Sequence, residues 1–292
     1  MIIKELFREV EVLFEQAGLS DSRRTGVWIF CDILQCKPAY LISHEDDRLK
    51  RDQVAEISAM AARCAAHEPV QYVTGYTEFR GLHLQVSSEV LIPRPETEQL
   101  VEVALEAVGR KLPSRVLDIG TGSGCIALAM KQAIPNASVA ACDISRSALH
   151  IARANATQNG LEIQCTAADL LTADFVRSVG SGYDLVIANP PYIPDHERSG
   201  LPRMVRDYEP EAALFCGEDP LKFYRAISRH IADGLLGRRG ILALETHADY
   251  AESIGTLLEQ HRGLRVQVKQ DFAGLPRFVL AKFPRKLSSA QE

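Results

Sequence analysis

The tetrapeptide Asn189-Pro190-Pro191-Tyr192 follows a short apolar run, Asp184 to Ala188, that reads as a β-strand. Two consecutive prolines remove two backbone donors and stiffen the turn. What the turn then offers is a pair of acceptors, the Asn189 side-chain oxygen and the Pro190 carbonyl, with the Tyr192 ring beside them. Such a site suits a substrate that presents an NH₂ group. A planar amide or aryl amine has its nitrogen lone pair delocalised. Two acceptors that hold both N–H bonds align that nitrogen and stabilise the positive charge growing on it during attack on an electrophile. If the electrophile arrives already activated, positioning can supply up to roughly 7–11 kcal/mol of the barrier, and no general base is required beforehand. The candidate catalytic residues are Asn189, Pro190 and Tyr192, and the candidate substrate-binding set adds Pro191. The eight histidines sit apart in sequence, and none joins a triad.

A second constellation lies upstream. Asp118-Ile119-Gly120-Thr121-Gly122-Ser123-Gly124 joins a short apolar run to a helical pattern. Three glycines let the backbone turn tightly and approach a ligand at a helix N-terminus. The third arrives one residue early for a dinucleotide fingerprint, and Cys125 fills the expected slot. The lysine of a phosphate-binding loop is absent. Nineteen residues after Gly124, Asp143 ends a second strand, where an acceptor-only carboxylate suits ribose hydroxyls. Asp169 and Leu170 end a third strand, placed to border an adenine, Asp169 by accepting from the exocyclic amine and Leu170 by packing on the ring. These residues describe a nucleoside pocket without a phosphate-binding lysine, and S-adenosylmethionine fits it.

The elements that position these residues alternate. Strands fit Val116–Ile119, Ser138–Cys142, Glu162–Ala167, Asp184–Ala188, Gly240–Glu245, Leu264–Asp271 and Arg277–Phe283, with helices between most of them. Asp219 as N-cap and Pro220 at N1 predict one helix start. Such alternation implies a mostly parallel sheet covered on both faces, which binds ligands at the carboxyl ends of its strands. Residues 1–69 read instead as a helical bundle, with Leu6, Val10, Leu13, Phe14 and Ala17 at helical spacing. The β-formers between Val70 and Val86, with Gly75 and Gly81 as turns, predict a β-hairpin linker over 70–92. The catalytic domain is expected over 93–286, with a flexible tail over 287–292. The stretch Ile193–Gly217 lacks periodicity and holds Arg198, Arg203 and Arg206, which suggests a partner-binding lid.

Composition narrows the class. Of 292 residues, 46% are hydrophobic and 24% charged, so the chain has enough apolar surface to fold. The net charge of −5 argues against stable nucleic-acid binding, which needs a basic surface. Seven scattered cysteines, with no Cys-x-x-Cys pair and no metal-ligand spacing, point to free thiols in a reducing compartment, the cytoplasm. A charged N-terminus and the lack of a long uncharged apolar stretch argue against a signal peptide and a membrane span.

Over nearly its whole length the sequence resembles the HemK/PrmC family, the peptide chain release factor glutamine N5-methyltransferases. The resemblance is carried by the helical N-terminal region, Leu91-Ile92-Pro93-Arg94-Pro95-Glu96-Thr97-Glu98, the Asp118–Gly124 turn, Asn189 to Pro194, and Tyr208-Glu209-Pro210. The Asn-Pro-Pro-Tyr motif is shared with adenine and guanine amino-methyltransferases. The Pro-Arg-Pro-Glu-Thr-Glu segment is more specific, since a sister family that methylates a ribosomal-protein glutamine carries a Ser-Pro-rich version of it. The resemblance implies a Rossmann-like class I methyltransferase domain with a seven-stranded sheet, behind a small helical bundle that recognises the protein substrate. It implies methyl transfer from S-adenosyl-L-methionine, leaving S-adenosyl-L-homocysteine, to the glutamine of a Gly-Gly-Gln loop in class-I release factors, which supports translation termination. The family's cofactor contacts carry over to Gly120, Thr121, Gly122, Ser123, Gly124, Asp143, Leu170 and Asn189, with Thr97 and Glu98 lining the methionine end. Asp169 joins them from the residue reading above. A monomer is expected. The competing readings are a ribosomal-protein glutamine methyltransferase, a nucleic-acid amino-methyltransferase, and an NAD-binding or non-catalytic protein on the same fold.

Overall fold

The computed structural model describes residues 1–109 and 112–283; the tail expected over 287–292 lies outside them. It divides the chain into two units, one of Met1–Tyr76 with Leu201–Glu209 and the other of Thr77–Gly200 with the residues from Pro210 onward.

The first unit is helical: α1 (Ile3–Gln16), α2 (Ser22–Leu34), α3 (Pro38–Ser43), α4 (Arg51–Ala65) and α5 (Val70–Thr74). Ile3, Leu6, Val10 and Phe14 line one face of α1 and bury against Ile29, Phe30, Ile57 and Ala61. Pro38 opens α3 at its first turn, where its missing N–H costs nothing. The segment from Leu201 is held in this unit by Tyr208, whose hydroxyl donates to the Ala66 carbonyl at 2.7 Å.

Residue types across 70–86 predict strand throughout, yet Val70–Thr74 is helical. Tyr72 and Val73 are buried, Val73 in the bundle core, and Gly75 at φ 85° ends the turn, so packing overrides β-propensity there. The hairpin is shorter than expected: β1 (Tyr76–Phe79) and β2 (Leu82–Gln85), joined by Arg80 and Gly81, both at positive φ as a tight primed turn requires.

In the second unit α6 (Pro95–Val108) leads into β3 (Arg115–Ile119), α7 (Cys125–Ala133), β4 (Ser138–Asp143), α8 (Arg146–Gln158), β5 (Gln164–Ala167), α9 (Phe175–Val179) and β6 (Tyr183–Ala188). The stretch expected to be an aperiodic lid contains β7 (Ile193–Pro194), a 3₁₀ turn (Asp195–Gly200), α10 (Arg203–Arg206, in the first unit), α11 (Glu211–Leu214) and β8 (Phe215–Gly217). These pieces are too short to show a period. The chain closes with α12 (Lys222–Ala232), β9 (Leu236–Glu245), α13 (Ala251–Glu259), β10 (Arg265–Gln270) and β11 (Pro276–Lys282). α12 starts at Lys222 and not at Pro220; Asp219 closes the turn before it, its side chain accepting from the Leu221 N–H and pairing with Arg225.

The sheet order is β10-β11-β9-β6-β3-β4-β5, with β11 antiparallel to both neighbours and the other six strands running in one direction. Val116, Leu185, Ile187 and Ala243 bury on one face with α6 and α7. Leu117, Ile119, Val186, Ala188, Leu242 and Leu244 bury on the other with α12 and α13. Strands covered on both faces must be apolar on both, which is why they appear as continuous apolar runs. The order reverses at β3: the chain runs outward through β4 and β5, then returns to place β6 on the other side. A crevice at the carboxyl ends of β3 and β6 follows from that switch. No helix among the described residues is long and apolar enough to cross a membrane.

Candidate active site

The register lines up the strand ends. Ile119 pairs with Cys142 and with Ala188, and Ala188 pairs with Leu244. Gly120, Asp143, Asn189 and Glu245 therefore stand in a row along one edge of the sheet.

The glycine turn is built by three left-handed residues, Gly120 (φ 72°), Gly122 (φ 54°) and Gly124 (φ 86°). A Cβ at Gly120 or Gly122 would meet no protein atom within 4 Å, so these two leave backbone bare on the open side. A Cβ at Gly124 would stand 3.2 Å from the Ala152 Cβ and 3.3 Å from its Cα, so this glycine serves the packing of α8. Asp118 locks the turn from below: its Oδ2 accepts from the Thr121 hydroxyl at 2.6 Å and the Ala127 N–H at 3.1 Å. Complete burial pushes its carboxyl up to about 7 against those two bonds. Asn155, fully buried on α8, ties the hairpin to this turn by accepting from the Gln85 N–H and donating to the carbonyls of Gln85 and Ser123.

Asp143 accepts from the Gly122 N–H and the Ser145 N–H, both at 2.9 Å. Each carboxylate oxygen keeps a lone pair for a further donor. Burial raises this carboxyl above its ordinary range, and the backbone bonds oppose the rise. Asp169 lies at the neighbouring strand end, half-buried, and its Oδ1 accepts from the Leu171 N–H at 2.8 Å. Leu170 is only 9% exposed and packs in the sheet's core beside Phe175, whereas Ile144, directly after Asp143, is 64% exposed. The exposed apolar side chain directly beside the Asp143 carboxylate is Ile144, a residue the sequence reading passes over. An apolar residue directly after a strand-end acid was the available signal.

At the β6 end, Asn189 is half-buried and Pro190 buried. Asn189 Nδ2 donates to Thr97 Oγ1 at 3.1 Å, and the Thr97 hydroxyl donates to Glu245 Oε2 at 2.8 Å. The Tyr192 hydroxyl reaches Glu245 Oε1 at 3.4 Å. Burial, then the Glu245 charge, push the Tyr192 hydroxyl well above its usual range, so it stays protonated and donates. Glu245 is fully buried, and burial pushes it up to about 7 despite Thr97, Arg277 and Tyr192. His247 packs edge-on to the Tyr192 ring, with centroids 6.3 Å apart. Sequence reading finds neither Glu245 nor His247 as site residues. Glu245 ends a strand as Asp143 does, and that position was its one signal.

Not every expected residue joins this cluster. Thr97 does, but the Glu98 carboxylate accepts from the Arg80 N–H at 2.7 Å and so holds the hairpin turn. Each arginine of the expected lid is paired locally: Arg198 with Glu211, and Arg203 and Arg206 with Asp207. The seven cysteines are free, and burial pushes Cys64 and Cys125 up to about 12, which leaves them as thiols. Among the described residues, no group of three His, Cys, Asp or Glu side chains is placed to hold a metal.

Comparison with known proteins identifies the class. The PrmC N-terminal domain family matches residues 5–75, and the methyltransferase small domain family matches 97–206. A release factor glutamine methyltransferase of Koribacter versatilis is 34% identical over 284 residues, 97% of this chain and 99% of that protein. This chain belongs to the release factor glutamine methyltransferase family. Another relative of that name, from Bacteroides thetaiotaomicron, is 37% identical over 87% of this chain and 90% of its own length. A methyltransferase structure from Pyrococcus furiosus, 18% identical, covers 80% of this chain and 98% of its own with a TM-score of 0.51, a likeness of fold. The fold is therefore that of a class I methyltransferase, a class that uses S-adenosylmethionine, behind a PrmC-type helical region. The residues fit that molecule: bare glycine backbone at Gly120 and Gly122, a half-buried carboxylate at Asp143 and an exposed apolar side chain at Ile144.

Proposed function

We infer that the chain transfers a methyl group from S-adenosylmethionine to the side-chain amide nitrogen, N5, of the glutamine in the Gly-Gly-Gln motif of class-I peptide chain release factors. The observation that carries this reading is the orientation of Asn189. Its amino group is committed to Thr97, so its Oδ1 is left to accept. With the Pro190 carbonyl next to it and no N–H on Pro190 or Pro191, the turn presents acceptors to an incoming NH₂. Family membership supplies the identity of that NH₂ as a glutamine amide.

When bound, S-adenosylmethionine supplies a sulfonium-activated methyl group. Gly120 and Gly122 would let it approach the backbone, Asp143 would accept from its ribose hydroxyls, and Ile144 and Asp169 would border its base. Asn189 and Pro190 hold both N–H bonds of the amide and face the charge that develops on nitrogen. Removing one such preorganised hydrogen-bond partner costs about 10²–10³ in turnover in other enzymes. Tyr192 walls the amide on one side. No side chain is asked to take a proton before attack. The helical first unit recognises the release factor, and the enzyme works in the cytoplasm as a monomer. The net charge of −5 supports a protein substrate over a nucleic acid.

The test is transfer of labelled methyl from S-adenosylmethionine to a purified class-I release factor, beside one whose Gly-Gly-Gln glutamine is alanine. Label on the first alone is expected. Label on neither, with the cofactor bound, would send the substrate search to ribosomal proteins and RNA.

A further inference from the structure

Asn189 is useful only in one of its two amide orientations. Turned by 180°, it would present an NH₂ group to an NH₂ group. Two neighbours, Thr97 and Glu245, decide the orientation. A carboxylate only accepts, a threonine hydroxyl has a single proton, and an asparagine amide donates at one end and accepts at the other. Glu245 lies 2.8 Å from Thr97 Oγ1, so the one hydroxyl proton of Thr97 goes to Glu245. Thr97 Oγ1 is then left as an acceptor toward Asn189, 3.1 Å away, and only the amino end of Asn189 can satisfy it. Thr97 is 2% exposed and Glu245 fully buried, so solvent offers no substitute partner. Glu245 is itself held: the Tyr224 hydroxyl donates to its backbone carbonyl at 3.0 Å, and its partners in the sheet fix the strand end.

We propose that Glu245 is a positioning residue that sets the polarity of the acceptor site, acting through Thr97 to hold the Asn189 side-chain oxygen toward the substrate amide. Neither residue touches the substrate. Glu245 also reaches Tyr192, so one buried carboxylate orders two of the groups around the amide. The proposal rests on the glutamine methyltransferase reading above.

An amide at position 245 breaks the logic without changing the shape. In Glu245→Gln the amide nitrogen can donate to Thr97 Oγ1, and the freed Thr97 proton can then turn to Asn189 and stabilise the reversed amide. Thr97→Val removes the link altogether, while Thr97→Ser keeps it.

The experiment measures methyl transfer to the release factor and cofactor dissociation constants by calorimetry. Variants are Glu245→Gln, Thr97→Val, Thr97→Ser and Asn189→Ala, with the double variant Glu245→Gln/Asn189→Ala. Glu245→Gln and Thr97→Val should lower kcat about 10–100-fold, the scale of a misplaced reacting group. The cofactor dissociation constant of Glu245→Gln should stay within about twofold, and Thr97→Ser should keep at least about half of wild-type kcat. In the Asn189→Ala background, Glu245→Gln should have little further effect, because the group it orients is gone. Wild-type kcat in both Glu245→Gln and Thr97→Val would overturn the proposal. So would an equal fold-loss from Glu245→Gln with and without Asn189. Should Glu245→Gln fail to fold, the contrast between Thr97→Ser and Thr97→Val decides, and equal kcat in those two overturns it. A wild-type enzyme that leaves the Gly-Gly-Gln glutamine unlabelled overturns the functional reading itself; a wild-type enzyme that labels it, with variants that do so equally well, overturns only the polarity role.

Discussion

Two alanine substitutions, two residues apart in the same turn, should fail in different ways. Gly122 (φ 54°) and Gly124 (φ 86°) both sit in left-handed backbone, where a side chain costs roughly 1–2 kcal/mol. At Gly122 that is the whole penalty to the fold, because a Cβ meets nothing within 4 Å. At Gly124 the methyl would stand 3.2–3.3 Å from the Cβ and Cα of Ala152, and a Cα can yield only if α8 moves. Overpacking of that kind adds about 1–3 kcal/mol. For a unit of this size each kcal/mol lowers the melting temperature by about 2–4 °C, so Gly124→Ala should lose roughly 4–20 °C and Gly122→Ala roughly 2–8 °C. Cofactor affinity should follow the opposite order. The Gly122 methyl projects into open space, where the proposed ligand placement has it meet S-adenosylmethionine, and should raise the dissociation constant about tenfold or more, some 1.4 kcal/mol per decade. Thermal unfolding without ligand and calorimetric titration with S-adenosylmethionine read the two effects separately. Equal melting losses in the two variants would refute the packing argument, and wild-type affinity in Gly122→Ala would refute the placement of the ligand on this turn.

Asn189→Ala should lower turnover by about 10²-fold or more while cofactor affinity changes little, and equal losses in both would deny it a role in the transition state. Asp143→Ala should weaken S-adenosylmethionine binding by about tenfold or more, since it removes the hydroxyl acceptor and the anchor of the Gly122 N–H; an unchanged dissociation constant would remove Asp143 from the site. Asn155→Leu strands the Gln85 N–H and the carbonyls of Gln85 and Ser123, at about 1–3 kcal/mol per unpaired buried group. A loss below about 1 kcal/mol in urea unfolding would show that those groups find other partners. Glu245, facing Thr97, Glu96, Tyr192 and Arg277, is raised from 4.5 to about 7, so the folded chain holds its proton more tightly than the unfolded one. Its contribution to stability is full below about pH 4.5 and lost as pH rises through about 7, so the stability of Glu245→Gln relative to wild type should increase between about pH 5 and pH 8. A difference that stays flat would refute that shift.

The parts of the site legible in the sequence are those whose chemistry is local. The turns Gly120–Gly124 and Asn189–Tyr192 each hold their candidate groups in consecutive residues, so residue type and a preceding apolar run were enough to single them out. Glu245 contributes through Thr97, 148 positions away, and that meeting is made by strand register, which no local pattern encodes. The different settings of Leu170 and Ile144 have a similar origin. Both are apolar residues beside a strand-end acid, and only packing shows that Leu170 turns into the core while Ile144 turns out. The helix at Val70–Thr74 was hidden for a different reason. Its β-branched residues favour strand in isolation, and the burial of Tyr72 and Val73 outweighs that preference. Between Ile193 and Gly217 the structured pieces span two to six residues each, less than two helical turns, so no period could emerge.

Two carboxylates, Asp118 and Glu245, are wholly buried in this unit, and burial raises both to about 7. Apolar residues of similar volume would often stabilise a fold better than buried charge does. What an apolar residue, a hydroxyl or an amide would not supply is direction. Because a carboxylate only accepts, every donor that meets it is forced to point inward, and the next group along must then accept. At Asp118 this fixes the Thr121 hydroxyl and the first turn of α7, and with them the backbone of the glycine turn. At Glu245 it fixes Thr97 and, one step further, which end of Asn189 faces the substrate. The same ionisation therefore acts in opposite senses on fold and function. As pH rises through about 7, Glu245 loses the proton that favours the folded state and becomes the pure acceptor that the chain of hydrogen bonds requires. Stability at this residue is given up over the same interval in which the acceptor site gains its polarity, and an enzyme that carried glutamine there would keep the first and lose the second.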